Sequence, residues 1–267
     1  MKKIALLISL LLTGIVLVAC KSSSTSEAGE NQSLLTQIKK EGVIKIGTEG
    51  TYAPYSYHDE DGKLVGYDVE VAEALAAKLG VKVKFIETKW DSMIAGLDAK
   101  RFDTIANQVG VTDERREKFD FSAPYTYIYG VLVTKKDSSN ITSFADLSGK
   151  KSANSLTSNW ADLARKNGAE VVGVDVFSQA VELLHTGRVD ATINDNLVYL
   201  DYIKQHANAP IKVVTLTDDV STTAFPVAKG NTDLVEAIDK ALSELASEGK
   251  LAEISNKYFG EDVSKAK

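Results

Sequence analysis

Leu97-Asp98-Ala99-Lys100-Arg101-Phe102-Asp103-Thr104-Ile105-Ala106-Asn107 returns later in the chain as Leu184-His185-Thr186-Gly187-Arg188-Val189-Asp190-Ala191-Thr192-Ile193-Asn194. Each stretch has the pattern of a helix end, a turn carrying Arg-apolar-Asp, and a short strand that stops at Asn. The segments Glu41-Gly42-Val43-Ile44-Lys45 and Ser148-Gly149-Lys150-Lys151 correspond as well, each leading into a strand candidate. Around the first copy the pattern predicts a strand over Val43 to Thr48, then a helix over Val69 to Leu79 with Asp68 as N-cap. Val71, Ala72, Leu75, Ala76 and Leu79 form one face of that helix, and Gly80 stops it. A strand over Val81 to Ile86, a helix over Asp91 to Ala99 and a strand over Thr104 to Gln108 follow. This βαβα order makes a parallel sheet covered by helices, so a doubled unit predicts an α/β chain of two lobes, each a mostly parallel sheet with flanking helices.

The chain is expected to cross between the lobes twice. Thr222 to Val227 is extended and apolar, and it precedes two helices, over Thr232 to Ser247 and Ala252 to Tyr258. Lobe 1 is therefore expected over 34–127 plus 223–267 and lobe 2 over 128–222, with a cleft at a two-segment hinge. Ligands of open α/β sheets gather outside the carboxyl ends of strands, and Glu49, Asn107 and Asn194-Asp195 sit at such ends.

Cys20, the only cysteine, follows Leu17-Val18-Ala19 and an apolar run of fifteen residues from Ile4 to Val18 behind Lys2 and Lys3. A basic start, a short apolar core and a small residue before the cut make an export signal rather than a membrane span. The Leu17 to Cys20 stretch resembles a lipobox, which implies lipidation of Cys20 and removal of residues 1–19. Each buried methylene contributes roughly 0.8 kcal/mol, so two or more chains on one cysteine hold a protein at a membrane. An ordinary secretory signal with an incidental cysteine is the alternative. Lys21 to Gln32 is Ser-rich and nearly devoid of apolar residues, which makes 20–33 a lipidated cysteine and flexible linker, with folding expected from Leu34. Losing Lys2 and Lys3 moves the formal net charge from -6 to -8, which argues against nucleic acid as a partner. A body without cysteine holds no disulfide or thiolate metal site, and His58, His185 and His206 lack zinc spacing. His58-Asp59-Glu60-Asp61-Gly62 has the look of a solvated hairpin turn, since the other oxygen ligands of a calcium loop are missing. No phosphate-binding glycine loop of the P-loop type appears, so ATP hydrolysis is not expected of this chain, and neither a metal nor a cofactor is expected.

Asn107-Gln108-Val109-Gly110-Val111-Thr112-Asp113-Glu114-Arg115-Arg116, followed by Phe119-Asp120-Phe121-Ser122-Ala123-Pro124-Tyr125, places free backbone N–H groups of a helix start beside a guanidinium, a pairing suited to a carboxylate. This segment resembles the T-x-E-R-x-x-x-x-D-F-S-x-P-Y signature of solute-binding proteins of amino-acid ABC importers. The resemblance implies the two-lobed type II periplasmic-binding-protein fold and a likeness over nearly the whole mature chain. It implies that Arg115 clamps the ligand's α-carboxylate and that Asp195, at the end of Asp190 to Asp195, takes the α-ammonium. Thr48 to Tyr55 is similar to the loop whose acid and aromatic, here Glu49 and Tyr52, meet the ligand. Trp90 matches a second stacking aromatic, and Gly66-Tyr67-Asp68-Val69-Glu70 is similar to a helix-capping motif. Gly110 stands where many relatives carry Ser or Thr, which leaves only its backbone N–H for the ligand. Without the resemblance, Arg115 and Glu49 suit solvated positions, Tyr52 and Trp90 suit core or rim, and Asp195 suits the N-cap of a helix over Leu197 to Lys204.

Ser152-Ala153-Asn154-Ser155-Leu156-Thr157-Ser158-Asn159-Trp160 is a polar loop opening a helix over Trp160 to Lys166. Its wording resembles the S-x-S-L-T-S-N loop of the L-cystine-binding branch in Gram-positive bacteria, although a plain capping loop has the same composition. Cystine has two zwitterionic ends, so Arg115 and Asp195 are expected at one end and Glu49, Ser158 and Asn159 at the other. The expected function is a monomeric, non-enzymatic, lipid-anchored receptor on the extracytoplasmic face of the cell membrane, delivering L-cystine to an ABC permease and its ATPase. Two other functions remain open: an enzyme of the same fold, of the cyclohexadienyl or arogenate dehydratase type with Glu49 as general acid, and a sensing or adhesion lipoprotein.

Overall fold

The computed structural model describes residues 32–266. The expected signal, lipobox and Cys20 lie outside the described residues, as does most of the expected linker. Helix α1 (Leu34–Glu41) starts where Ser33 Oγ accepts from the Thr36 N–H and ends at Gly42, whose φ of 70° is the left-handed conformation that glycine adopts without strain. The chain continues through β1 (Val43–Thr48), the small antiparallel sheet β2 (Thr51–Tyr52), β3 (Ser56–His58) and β4 (Leu64–Val65), then α2 (Tyr67–Leu79) and β5 (Lys82–Glu87). Next come α3 (Trp90–Asp98), β6 (Thr104–Ile105), α4 (Asp113–Lys118), β7 (Phe119–Phe121), β8 (Thr126–Ile128) and β9 (Gly130–Lys135). A short 3-10 turn over Phe144–Leu147 leads to β10 (Lys151–Asn154), α5 (Asn159–Lys166), β11 (Glu170–Gly173), α6 (Phe177–His185), β12 (Ala191–Asp195) and α7 (Asn196–Gln205). The described chain closes with β13 (Ile211–Leu216), β14 (Ser221–Thr223), β15 (Pro226–Ala228), α8 (Thr232–Ser247) and α9 (Lys250–Phe259).

Two five-stranded sheets result, ordered β5-β1-β6-β15-β7 and β11-β10-β12-β9-β13. The pairings run parallel, parallel, antiparallel, antiparallel across each. The repeated stretches thus enter as equivalent central strands, β6 and β12. Their shared aspartate has a shared use: Asp103 Oδ2 accepts from the Lys45 N–H at 2.7 Å, and Asp190 Oδ2 accepts from the Lys151 N–H at 2.8 Å. The Lys45 and Lys151 carbonyls accept in return from the Asp103 and Asp190 N–H groups. Each carboxylate pins the turn after a helix to the neighbouring strand, a tie that replaces one rung of the ladder.

Between the lobes, β8 and β14 form a separate antiparallel pair, Ser221 opposite Ile128 and Thr223 opposite Thr126. The expected boundaries at 127/128 and 222/223 fall inside these two strands. Two local expectations are corrected. Asp68 is not the N-cap of α2, because Gly66 holds that place without a side-chain bond, and Asp68 is instead fully buried. Its Oδ2 accepts from the Gln108 N–H at 2.8 Å, and its Oδ1 accepts from Gln108 Nε2 at 2.6 Å and Tyr125 Oη at 3.1 Å. The strand foreseen over Thr104 to Gln108 stops at Ile105, and Gln108 takes φ 49° to make those bonds. The mostly parallel sheets foreseen are present, with one reversed strand in each: β15 in the first and β9 in the second.

Candidate functional site

The carboxyl ends of β1, β6, β10 and β12 face one another across a cleft with about 570 Å³ of empty space. Glu49, Tyr52, Trp90 and Asn107 line it from the first lobe, and Asn154, Ser158, Asn159, Trp160, Phe177 and Asn194 from the second. The lobes are closed on each other. Tyr52 Oη donates to Asp195 Oδ2 at 2.8 Å and to Asn194 Oδ1 at 3.1 Å, and Tyr55 Oη donates to Asp195 Oδ1 at 2.9 Å. At the rim, Lys89 Nζ meets Asp175 Oδ2 at 2.7 Å, and both the N–H and the hydroxyl of Thr157 donate to Asp91 Oδ1, at 3.0 and 2.9 Å.

Glu49 follows β1 and is fixed by Asn107, whose Oδ1 accepts from the Glu49 N–H at 2.9 Å while its Nδ2 donates to Glu49 Oε2 at 2.7 Å. Burial is the main cause that pushes the Glu49 carboxyl up to about 7, against the opposing Asn107 hydrogen bond. Asn107 itself is fully buried, and its oxygen also accepts from Thr48 and Ser56 hydroxyls, so its amide is spent on holding the Glu49 loop. Arg115 is buried, with Nη1 donating to the Gly110 carbonyl at 2.9 Å and Nη2 to the Thr157 carbonyl at 3.3 Å. Its guanidinium carbon lies 5.4 Å from the Trp90 ring centroid, and Arg115 is not among the residues that line the cleft. Burial lowers its pKa, and no carboxylate among the described residues forms an ion pair with it.

Three expected contacts take a different form. Asp195 does cap α7, Oδ1 accepting from the Val198 N–H at 2.8 Å, and it also accepts from the Tyr52 and Tyr55 hydroxyls, while Asp195 is not among the cleft-lining residues. The carboxylate therefore stands behind the cleft wall in this closed state rather than open to it. Ser158 lines the cleft, but its hydroxyl accepts from the Ala161 N–H and donates to the Ser155 carbonyl, which makes it the cap of α5. Gly110 is not part of the cleft lining. A Cβ there would stand 3.3 Å from Asn159 Cγ, so the missing side chain leaves room for Asn159 to approach from the opposite lobe. The Asn159 amide has no hydrogen-bond partner among the described residues and faces the cleft.

Sequence reasoning missed Tyr55, Gln108, Trp160, Asp175 and Phe177. Tyr55 lies in the turn after β2, three residues beyond the Tyr52 that was singled out, and its hydroxyl is the sign that a buried tyrosine needs a partner. Trp160 and Phe177 open α5 and α6 on the second lobe and give the cleft its apolar walls, but sequence alone gives them no mark apart from other helix-start aromatics. Burial also raises the Asp195 and Asp68 carboxyls, Asp68 to about 7, and the tyrosines around them are raised for the same reason. The cleft thus has a buried acid in its lining with no basic side chain beside it, and the buried Arg115 guanidinium lies outside that lining.

Comparison with known proteins places the chain. It is 48% identical over 269 residues to the L-cystine-binding protein TcyA of Bacillus subtilis (strain 168), covering 99% of this chain and all of the relative. Among solved structures, the L-cystine solute receptor of Neisseria gonorrhoeae in its unliganded open conformation is 48% identical with a TM-score of 0.60, covering 88% of this chain and 100% of that one. An ancestral arginine-binding protein bound to glutamine is 40% identical, yet its TM-score is 0.77, covering 82% of this chain and 99% of that one. Similarity of shape thus runs opposite to identity, as expected when the lobes are closed here and apart in the open receptor. The family model of bacterial extracellular solute-binding proteins, family 3, matches residues 44–261, more than three-quarters of the sequence, and the chain belongs to that family.

Proposed function

We propose that this protein captures an amino acid, L-cystine in the first place, between its lobes and delivers it to the permease of an ABC importer. The observation that carries this is uncompensated charge: Glu49 is buried without a cation and Arg115 is buried without an ion-paired carboxylate, both beside Trp90. A zwitterion supplies both missing partners at once. The identity with the Bacillus subtilis cystine-binding protein, over nearly all of both chains, supports cystine over other polar amino acids. Removal of residues 1–19, lipidation of Cys20, a monomeric state, and lobes over 34–127 plus 223–267 and over 128–222 belong to the same proposal.

A thermal-shift screen of the purified protein against amino acids including cystine tests it. Ligand at 100 times its dissociation constant adds about 2.7 kcal/mol of stability, a shift of several degrees. Cystine is expected to give the largest shift, and an unmoved melting temperature with every amino acid would sink the proposal. Turnover of prephenate or arogenate in the same preparation would replace it with the dehydratase reading, Glu49 being the carboxyl placed to act as the acid.

A further inference from the structure

The amino ends of β1 and β5 and the turn into β6 lie at the opposite end of the first sheet from the cleft, and basic side chains collect there. Helix α1 ends in Lys39 and Lys40, and just beyond it the Gly42 carbonyl accepts from the Lys82 N–H at 2.9 Å, which brings the start of β5 against the end of that helix. Along the paired strands Val43 stands opposite Lys82, and Lys45 opposite Lys84. Asp103 holds the Lys45 N–H, so the turn after α3, with Lys100 and Arg101, joins the same face. Lys39, Lys40, Lys82, Lys84, Lys100 and Arg101 are all exposed, and none of them forms an ion pair among the described residues. Charged groups around them are already engaged: Glu41 meets Lys45 at 3.5 Å, and Lys78 meets Glu244 and Glu248 at 3.8 and 2.5 Å. Of the other acids on these segments, Asp103 is spent on the Lys45 backbone, and Asp98 remains.

The whole chain carries a net charge of -6, so an anionic surface repels it on average, and a local basic face decides which side can approach. Lysines on an edge strand guard it against pairing with another sheet, and β5 is such an edge. That accounts for Lys82 and Lys84 but not for the end of α1 or the turn after α3. We propose that this face rests on an anionic lipid bilayer and sets the orientation of the tethered receptor. The inference rests on the lipid anchor proposed above, because the linker from Cys20 enters the fold through α1, whose last turn is part of the face. A bilayer is then always within reach, and each basic side chain brought to an anionic surface favours contact by about fivefold. The cleft, at the carboxyl ends of β1 and β6, stays open to the medium.

The test reconstitutes the protein on vesicles of phosphatidylcholine, alone or mixed with phosphatidylglycerol, and acetylates its lysines briefly. Mass spectrometry then reads the modified sites and, separately, whether Cys20 is acylated. Acetylation of Lys39, Lys40, Lys82, Lys84 and Lys100 is expected to fall about fivefold or more on the phosphatidylglycerol vesicles, and to recover in about 1 M salt, where the screening length is about 3 Å. Lys136 and Lys166, exposed on the second lobe, should react alike on both vesicles. Lys39→Glu, Lys82→Glu and Lys100→Glu together should abolish the difference at Lys40 and Lys84. Cystine affinity and thermal unfolding should stay at wild-type values in that variant, because the three side chains are exposed and unpaired. Equal acetylation of the face on the two kinds of vesicle, or protection that persists in the triple variant, overturns the inference and leaves the receptor function standing. A chain without acyl groups removes the tether, and the same comparison still decides the face.

Discussion

Glu49 has the most consequential protonation in the molecule. Its carboxyl titrates near 7 when no ligand is bound, because burial is not offset by any cation. A ligand ammonium placed against it lowers that pKa, so binding releases a proton. Affinity should therefore be full above about pH 7 and fall as pH drops through 7 toward the ordinary carboxylate range, by up to tenfold per unit. Calorimetry in buffers of different ionisation enthalpy detects the proton, and Glu49→Gln should abolish both the release and the pH slope. At Arg115 the expectation is simpler. Truncating one partner of a desolvated charge pair costs about 2 to 5 kcal/mol, so Arg115→Ala should weaken binding thirtyfold or more, and wild-type affinity in that variant would remove the clamp. Legibility at this scale followed the motif that surrounds a residue. Arg115 and Glu49 stood out because strand ends and helix starts can be foreseen from neighbours in sequence. Asp68 misled as a cap, and the hold on Asn107 was not legible, since their partners, Gln108 and Tyr125 for one and Thr48, Glu49 and Ser56 for the other, are mostly brought by other segments of the fold.

Among the elements, the crossing strands and the start of α3 control closure. Gln108 ties α2 to both crossing strands, its Nε2 donating to Asp68 and to Thr126 Oγ1 and its Oε1 accepting from Thr223 Oγ1. Asp68 at the centre of this tie is fully buried and raised to about 7, above its unfolded value. The folded state therefore binds the extra proton between roughly pH 4 and 7, and ligand-free stability should decline across that window by up to about 1.4 kcal/mol per pH unit for this group. Denaturant titrations at pH 5 and pH 8 measure it, and Asp68→Asn should flatten the difference. Helix boundaries were largely legible for α5, α8 and α9, whose apolar faces lie in their own sequence, while α1 was foreseen only as the place where folding begins. The brevity of β6 was not, since nothing local announces that Gln108 turns away to bond Asp68.

For the whole molecule, the doubled motif was the sound guide. Asp103 and Asp190 play the same part in two sheets of the same pairing order, which is why so short an echo was enough to indicate two lobes. The sequence did not show that the chain would sit closed, because closure is a sum of contacts between segments far apart. The tether is a prediction at this scale: Cys20→Ala should abolish incorporation of labelled palmitate and shift the protein from the membrane fraction to the medium, and retention at the membrane would contradict lipidation. The bonds of Lys89 and Asp91 to Asp175 and Thr157 form a short clasp. Asp91→Ala should shorten the dwell time of the ligand about fivefold, read by stopped-flow release, while association changes little. A clasp of largely exposed side chains at the rim separates two tasks. How tightly the amino acid is recognised is decided inside, and how fast the protein unloads is decided at a few exposed side chains that a membrane partner can reach and part.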